Sequence, residues 1–380
     1  MLIKNGLIYS PDFKFHSGCI TTNNETIQSL STDLNPTTDS DSYDATDAYV
    51  LPGLTDIHFH GCVGYDFCDG TKEAIHAMAS YQLENGITTI CPATMTLAEF
   101  LLQSICSTAS AYQKNPFSEK EAIFVGINME GPFISLAKKG AQNPAFITGA
   151  NTAMFRRLQE SAGGLVKLLA IAPEEENAMN VISDLKGEVV LSIAHTTADY
   201  ETSSAAFAHG ASHVTHLYNA MPPFSHRDTG VVGAAFDAVH SNVELITDGI
   251  HISPSMVRAT YKLFGDDRVI LVSDSMMATG MVDGKYALGG QDVFVTGNKA
   301  TLADGTIAGS ATNLMDCMRT CIRMGIPMES AIRSATYNPA AAIKIDDQYG
   351  SIEPGKVANF VVLNKDFSIR NVILKGKVVI

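Results

Sequence analysis

Nowhere in its 380 residues does the chain carry an apolar run approaching the ~20 residues needed to cross a bilayer as a helix. It also has no sustained cluster of Lys or Arg, and its formal net charge is −14. A surface that holds nucleic acid or anionic membrane by releasing counterions is therefore excluded, although a small charged ligand is not, because local cations can outvote net charge inside a cleft. The opening residues Met-Leu-Ile-Lys-Asn-Gly show no basic stretch followed by an apolar core and a small-residue cleavage site, so a cytoplasmic location is expected. Seven cysteines, Cys19, Cys62, Cys68, Cys91, Cys106, Cys317 and Cys321, form no CxxC pair. An odd number, widely scattered, suits reduced structural thiols rather than a disulfide framework or a thiolate metal site. Cys62 is the exception that could be more than structural, because it lies two residues from His60. No GxGxxG follows the first strand-like run, which leaves the alternative of a doubly wound open sheet without its nucleotide-binding fingerprint.

What is present is enough apolar sequence, 46%, to bury a full core. Residues 1–50 read as short strands with turn chemistry: Asn5-Gly6 is a turn signal, and residues 31–47 are rich in Ser, Thr, Asp and Asn. The tail from 345 to 380 has the same character, with strands expected over 358–363 and 371–374 and a turn at Glu353-Pro354-Gly355-Lys356. Edge strands at both termini need partners. Residues 1–50 and 345–380 are therefore expected to pair into one small β-sandwich domain. Between them, apolar runs at 50–57, 87–94, 122–129, 165–172, 189–194, 212–215, 243–247 and 269–273 alternate with helical stretches. Eight such units over residues 51–344 predict an α/β fold, a (β/α)8 TIM-like barrel.

Catalytic groups of such a barrel come from the C-terminal ends of its strands. Reactive residues fall there repeatedly: His58 and His60, Glu130, His195, His216, Asp248 and His251, and Asp274. Positions i and i+2 of a strand share a face, so His58 and His60 can aim two imidazoles at one point. Taken singly, each is equally a satisfied core histidine. Glu130, His195 and His216 end three other strands, and one carboxylate with two imidazoles suits a catalytic divalent metal with room for water. A carboxylate such as Asp274 beside that metal can take a proton from water and give it to a leaving group. Its competing role is to cap a helix within Ser273-Asp274-Ser275.

Pro52-Gly53-Leu54-Thr55-Asp56-Ile57-His58-Phe59-His60-Gly61 resembles the strand-1 signature of the amidohydrolase superfamily. Met129-Glu130-Gly131-Pro132-Phe133 and His216-Leu217-Tyr218-Asn219-Ala220-Met221 are similar to the N-acetylglucosamine-6-phosphate deacetylases within it. The likeness spans essentially the whole chain, including 350–359. It implies a divalent metal (Zn, Fe, Co or Mn) on Glu130, His195 and His216, with Asp274 as general acid and base. It also implies phosphosugar contacts from Asn219, Ala220, His251 and Ile307, and from Arg227 lent across a homodimer interface. A phosphate-gripping guanidinium suits the rigid loop Pro222-Pro223-Phe224-Ser225-His226-Arg227-Asp228, whereas the plainer alternative is an arginine paired with Asp228.

Some members of the family lack the strand-1 histidines and bind one metal; His58 and His60 make a second ion chemically possible here. Some carry His where this chain has Gln142, and an amide can donate a hydrogen bond but no charge, leaving more of the carbonyl polarisation to the metal. Lys138 and Lys139 read as solvated charges. The expected reaction is hydrolysis of an N-acetyl amide on an amino-sugar 6-phosphate, gluco or galacto. Hydrolysis of a cyclic imide or ureide is a rival reading. Ureide hydrolases often place a carboxylated lysine at strand 4, and the run 167–173 ends without one. A phosphosugar sensor without catalysis is the remaining rival, and it should have lost Asp274 or the ligands.

Overall fold

The computed structural model describes residues 1–32 and 41–380; residues 33–40 of the polar segment expected at 31–47 lie outside them. Eight parallel strands form the central barrel: Leu54–Asp56, Ile87–Ile90, Ile123–Phe124 continuing as Ile127–Met129, Val166–Ile171, Val190–Ile193, His213–Val214, Asn242–Ile246 and Val269–Val272. They pair in that order, with an Ala93–Asn128 bridge joining the second strand to the third. The ring closes at its C-terminal end, where the Asp274 N–H donates to the His58 carbonyl at 2.9 Å. Asp56 reinforces that seam by accepting from Ser273 Oγ at 2.5 Å.

A helix follows each strand, and local sequence explains where each begins. Thr71, Asn151, Asp199 and Asn313 stand in extended backbone and accept from the amide three residues on, the capping geometry these side chains favour. The helix Leu314–Arg323 buries Leu314, Met315, Cys317, Met318 and Cys321, a stripe at i, i+3, i+4 and i+7 that packs against the barrel. Inside the barrel, Val125, Leu168, Val190 and Ile270 meet Ala340, Ile343 and Ile345, which plug the end away from the site.

The two termini share one sheet. Its strand order runs Lys377–Val378, Ile369–Leu374, Phe360–Leu363, Tyr49–Pro52, Leu2–Tyr9, Phe15–Asn23, Thr26–Ser31, with Ser42–Asp44 also on Leu2–Tyr9. A Thr26–Val357 bridge ties the far edge back to the approach of Phe360–Leu363. The sheet thus wraps Ile3, Ile8, Ile20, Ile27, Val50, Phe360, Val362 and Ile373. Alternate residues, Leu51, Val361, Leu363 and Val372, face the barrel, as the two-residue strand period requires. This is the small β domain expected from the ends.

Three expectations change in detail. The run 50–57 is two strands: Tyr49–Pro52 joins the small sheet and Leu54–Asp56 the barrel. They meet at Gly53, where a Cβ would lie 2.0 Å from Thr88 Oγ1. Asn5-Gly6 makes a bulge within Leu2–Tyr9 rather than a turn, with Asn5 at φ 66° and its side chain donating to Asp44. Finally, a three-stranded meander, Gly284–Leu288, Gln291–Thr296 and Lys299–Thr301, was not foreseen. It packs Leu288, Val293 and Val295 against Met95 and Met276 beside the barrel mouth.

Candidate active site

Each chemical group stands just past the end of its strand. His195, His216 and Asp274 all adopt left-handed backbone, at φ 44°, 28° and 48°. Such residues each cost about 1–3 kcal/mol and persist only where their surroundings fix them. Gly131, at φ 81°, lets the chain turn immediately after Glu130; a Cβ there would sit 2.1 Å from Thr96 Oγ1.

The side chains converge on Glu130. Its Oε1 is 3.1 Å from His195 Nε2, 3.0 Å from His216 Nε2 and 3.5 Å from His58 Nε2, while Oε2 is 3.2 Å from His60 Nε2. Asp274 Oδ1 lies 3.4 Å from His60 Nε2 and 3.8 Å from His58 Nε2. His195 and His216 bring their Nε2 atoms within 3.2 Å of each other. Neutral imidazoles and a carboxylate tolerate that crowding only with a cation or added protons among them. Two groups, His58/Glu130/His216 and His58/His60/Asp274, have ligand atoms close enough to share an ion, and His58 Nε2 has no hydrogen-bond partner. The donor set of nitrogen and oxygen therefore fits a divalent first-row metal.

Charge interactions within the cluster are strong. Burial pulls the His60 imidazole down, but hydrogen bonds with Asp274 and Glu130 overcome it and hold its pKa at about 10. His58 is likewise raised against burial, by Glu244 and Glu130. Glu130 and Asp274 are both held below the carboxylate range against burial, Glu130 chiefly by His58 and His195 and Asp274 by His60 and His58. All four thus favour their charged forms, and a bound cation would take over the role of the imidazolium protons.

A cavity of about 460 Å³ opens above the cluster, lined by His60, Glu130, Gln142, His195, His216 and Asp274. Asn219, Ala220, His251 and Ile307 form its outer wall. Asn219 is held by its side-chain amide on the His216 and Leu217 carbonyls. His251 Nδ1 pairs with Asp248 Oδ2 at 2.8 Å, which leaves Nε2 as its free ring nitrogen. Gln142 donates from Nε2 to Glu130 Oε2 at 2.7 Å and accepts the Thr96 N–H at 2.6 Å, so its amide orients Glu130. Asp274 caps no helix, because the next segment bridges Ser275 to Ser310 instead.

Some groups fall elsewhere. Arg227 is exposed and stands apart from this wall, and no ion pair with Asp228 occurs among the described residues. Lys138 and Lys139, expected to be solvated charges, line the cavity. Lys138 bonds the Met221 carbonyl through Nζ, and its own carbonyl faces His195 Nδ1 at 2.8 Å. Cys62 is fully buried and burial pushes its thiol up, which removes it as a nucleophile; none of the seven cysteines is in a disulfide. Sequence reasoning missed Glu244 and His213, both fully buried on barrel strands. The signal was there: Asn242-Val-Glu-Leu-Ile246 places a carboxylate inside an apolar strand, where it needs partners.

The amidohydrolase family model matches residues 49–379. The chain belongs to the amidohydrolase family. Among its relatives in that family, an N-acetylglucosamine-6-phosphate deacetylase of Bacillus subtilis (strain 168) is 35% identical over 100% of this chain and 96% of its own length. An N-acetylgalactosamine-6-phosphate deacetylase of Escherichia coli O157:H7 is 29% identical, covering 87% of this chain and 88% of its own. A variant of the Mycobacterium smegmatis N-acetyl-D-glucosamine-6-phosphate deacetylase, solved with N-acetyl-D-glucosamine 6-phosphate, superposes with a TM-score of 0.94 at 28% identity over 100% of this chain and 99% of that one. As an amidohydrolase, the chain is a metal-dependent hydrolase, and the cluster on Glu130 holds its candidate metal-binding groups.

Proposed function

We propose that this amidohydrolase removes the acetyl group from N-acetylglucosamine 6-phosphate, giving glucosamine 6-phosphate and acetate, in amino-sugar catabolism and the recycling of cell-wall sugars. The observation that carries the reading is the convergence of Glu130, His195, His216 and Asp274 at the floor of a cavity walled by Asn219, Ala220, His251 and Ile307. The similarity to named deacetylases over the full chain supports it.

Glu130, His195 and His216 would hold one divalent ion, and His58 with His60 a second. A bound ion supplies Lewis-acid polarisation of the amide carbonyl and of water. Asp274, held as a carboxylate at the cavity floor, takes the proton from the attacking water. It then delivers that proton to the amine nitrogen, since an amine leaves poorly unless protonated. Gln142 fixes Glu130 and gives no cationic help to the carbonyl oxygen. His251, Asn219 and the backbone at Ala220 and Ile307 position the phosphosugar, with Lys138 and Lys139 adding positive charge at the wall. The fourth strand carries its one lysine, Lys167, at the end away from the site, which favours a simple amide over a cyclic ureide.

Arg227 is assigned to phosphate across a homodimer interface, because it forms no ion pair among the described residues. Arg227→Ala is expected to lower kcat/KM for the phosphorylated substrate by roughly 10–100-fold, the worth of one charge-assisted contact. The unphosphorylated sugar should change by less than about threefold, within the range of an ordinary surface substitution. Equal losses on both substrates, read by acetate release, would remove Arg227 from phosphate recognition. The protein is expected to act in the cytoplasm; no helix among the described residues is long and apolar enough to cross a membrane.

A further inference from the structure

Below the cavity floor, Glu244 lies on the barrel strand Asn242–Ile246 with no exposed surface and no Lys or Arg beside it. Its Oε2 meets His58 Nδ1 at 2.8 Å and accepts the His216 N–H at 3.1 Å, and its Oε1 meets His213 Nε2 at 2.9 Å. The Glu244 carbonyl also accepts the Leu217 N–H at 2.8 Å. One residue therefore grips two members of the metal cluster from beneath. Barrel packing alone calls for an aliphatic side chain here, since a buried carboxylate is costly unless its partners offset it.

We infer that Glu244 is a positioning residue that aims His58 at the metal cluster and thereby sets the cluster's affinity for a divalent ion. A carboxylate offers only acceptors. Each imidazole on it must present an N–H, so His58 keeps a hydrogen on Nδ1 and aims Nε2 at Glu130 and Asp274, where a bound ion would take the place of its second proton. That Nε2 atom has no other partner. His213 is arranged the other way, with Nε2 on Glu244 and Nδ1 unpartnered, on a strand neighbouring Glu244. It touches no ligand of the cluster; its N–H holds the carboxylate in place. Partners of this kind fix the tautomer and ring orientation of a ligating histidine and typically govern 10–100-fold in metal affinity.

The inference rests on reading the cluster as a metal site, and its test has a readout separate from turnover. Zn²⁺ affinity of the full-length protein is measured by chelator competition for wild type, Glu244→Leu and Glu244→Gln, with circular dichroism to verify folding. Glu244→Leu is expected to weaken Zn²⁺ at least ~10-fold. Glu244→Gln should recover part of the loss, because its amide oxygen still accepts from His58. If Glu244→Leu fails to fold, the double variant Glu244→Leu/His213→Leu removes the imidazole left without a partner. In the Zn²⁺-loaded wild type, nitrogen-edited NMR should find the His58 hydrogen on Nδ1. A folded Leu variant with wild-type Zn²⁺ affinity, or a His58 hydrogen on Nε2, would overturn the inference. Zn²⁺ weakened as expected in Glu244→Leu, beside a metal-loaded wild type that releases no acetate, would sink the deacetylase reading and leave Glu244's role standing.

Discussion

Asp274→Asn is expected to lower kcat for acetate release by roughly 10²–10⁴-fold, the usual worth of a positioned general acid or base. The fold should be undisturbed, because the backbone of residue 274 makes the barrel seam: its N–H donates to His58 at 2.9 Å and its carbonyl accepts from Ser310 at 2.7 Å. Asn keeps the size of the side chain and both of those bonds. What it loses is an oxygen able to take a proton from water and pass it to the amine. Metal content of the variant, measured beside its turnover, separates the two ways activity can fall. Full metal with little activity is the expected pair of results; full metal with wild-type turnover would remove Asp274 from proton transfer.

Glu130→Gln is expected to weaken metal binding by at least ~100-fold, beyond what loss of an outer partner costs, and to abolish turnover with it. The reason lies in Gln142. Its Oε1 accepts the Thr96 N–H at 2.6 Å, which fixes Nε2 as the donor facing Glu130 Oε2 at 2.7 Å. A neutral amide at 130 would have to turn its oxygen to that donor and its NH2 toward His195 and His216, where a metal ligand is needed. Charge and lone pair would be lost together at the atom shared by both imidazoles. Isothermal titration of the metal-free variant with Zn²⁺ checks this; affinity within a few-fold of wild type would show that Glu130 is no ligand.

Much of this site was legible because barrel geometry converts sequence position into spatial position. His58, His60, Glu130, His195, His216 and Asp274 each follow an apolar run, and strand ends on one side of a parallel barrel must face one mouth. His251, also flagged at a strand end, reaches the same cavity, as do Gln142, Asn219, Ala220 and Ile307, which only a family resemblance singled out. The misses share a cause. Glu244 and His213 lie within strands, and a polar residue inside a strand reveals its partner only once neighbouring strands are in register. Lys138 and Lys139 looked solvated because a local run of charge carries no information about which wall it meets. The run 50–57 was apolar throughout, so only the close approach of Thr88 to Gly53 shows where one sheet hands over to another. Likewise, the meander at 284–301 is distinguished by hairpin turns at Gly289-Gly290 and Gly297, too short-ranged to announce that it would wall the cavity.

Acetate release is the most direct test of the proposed chemistry: the purified chain is stripped of metal, reloaded with Zn²⁺, Fe²⁺, Co²⁺ or Mn²⁺, and incubated with N-acetylglucosamine 6-phosphate or its galacto epimer. Stoichiometric acetate and glucosamine 6-phosphate from the gluco substrate, dependent on added metal and faster than from the galacto epimer, is the expected result. Preference for the galacto epimer would reassign the substrate while keeping the chemistry. No acetate from either sugar with the metal sites filled would contradict the deacetylase reading itself.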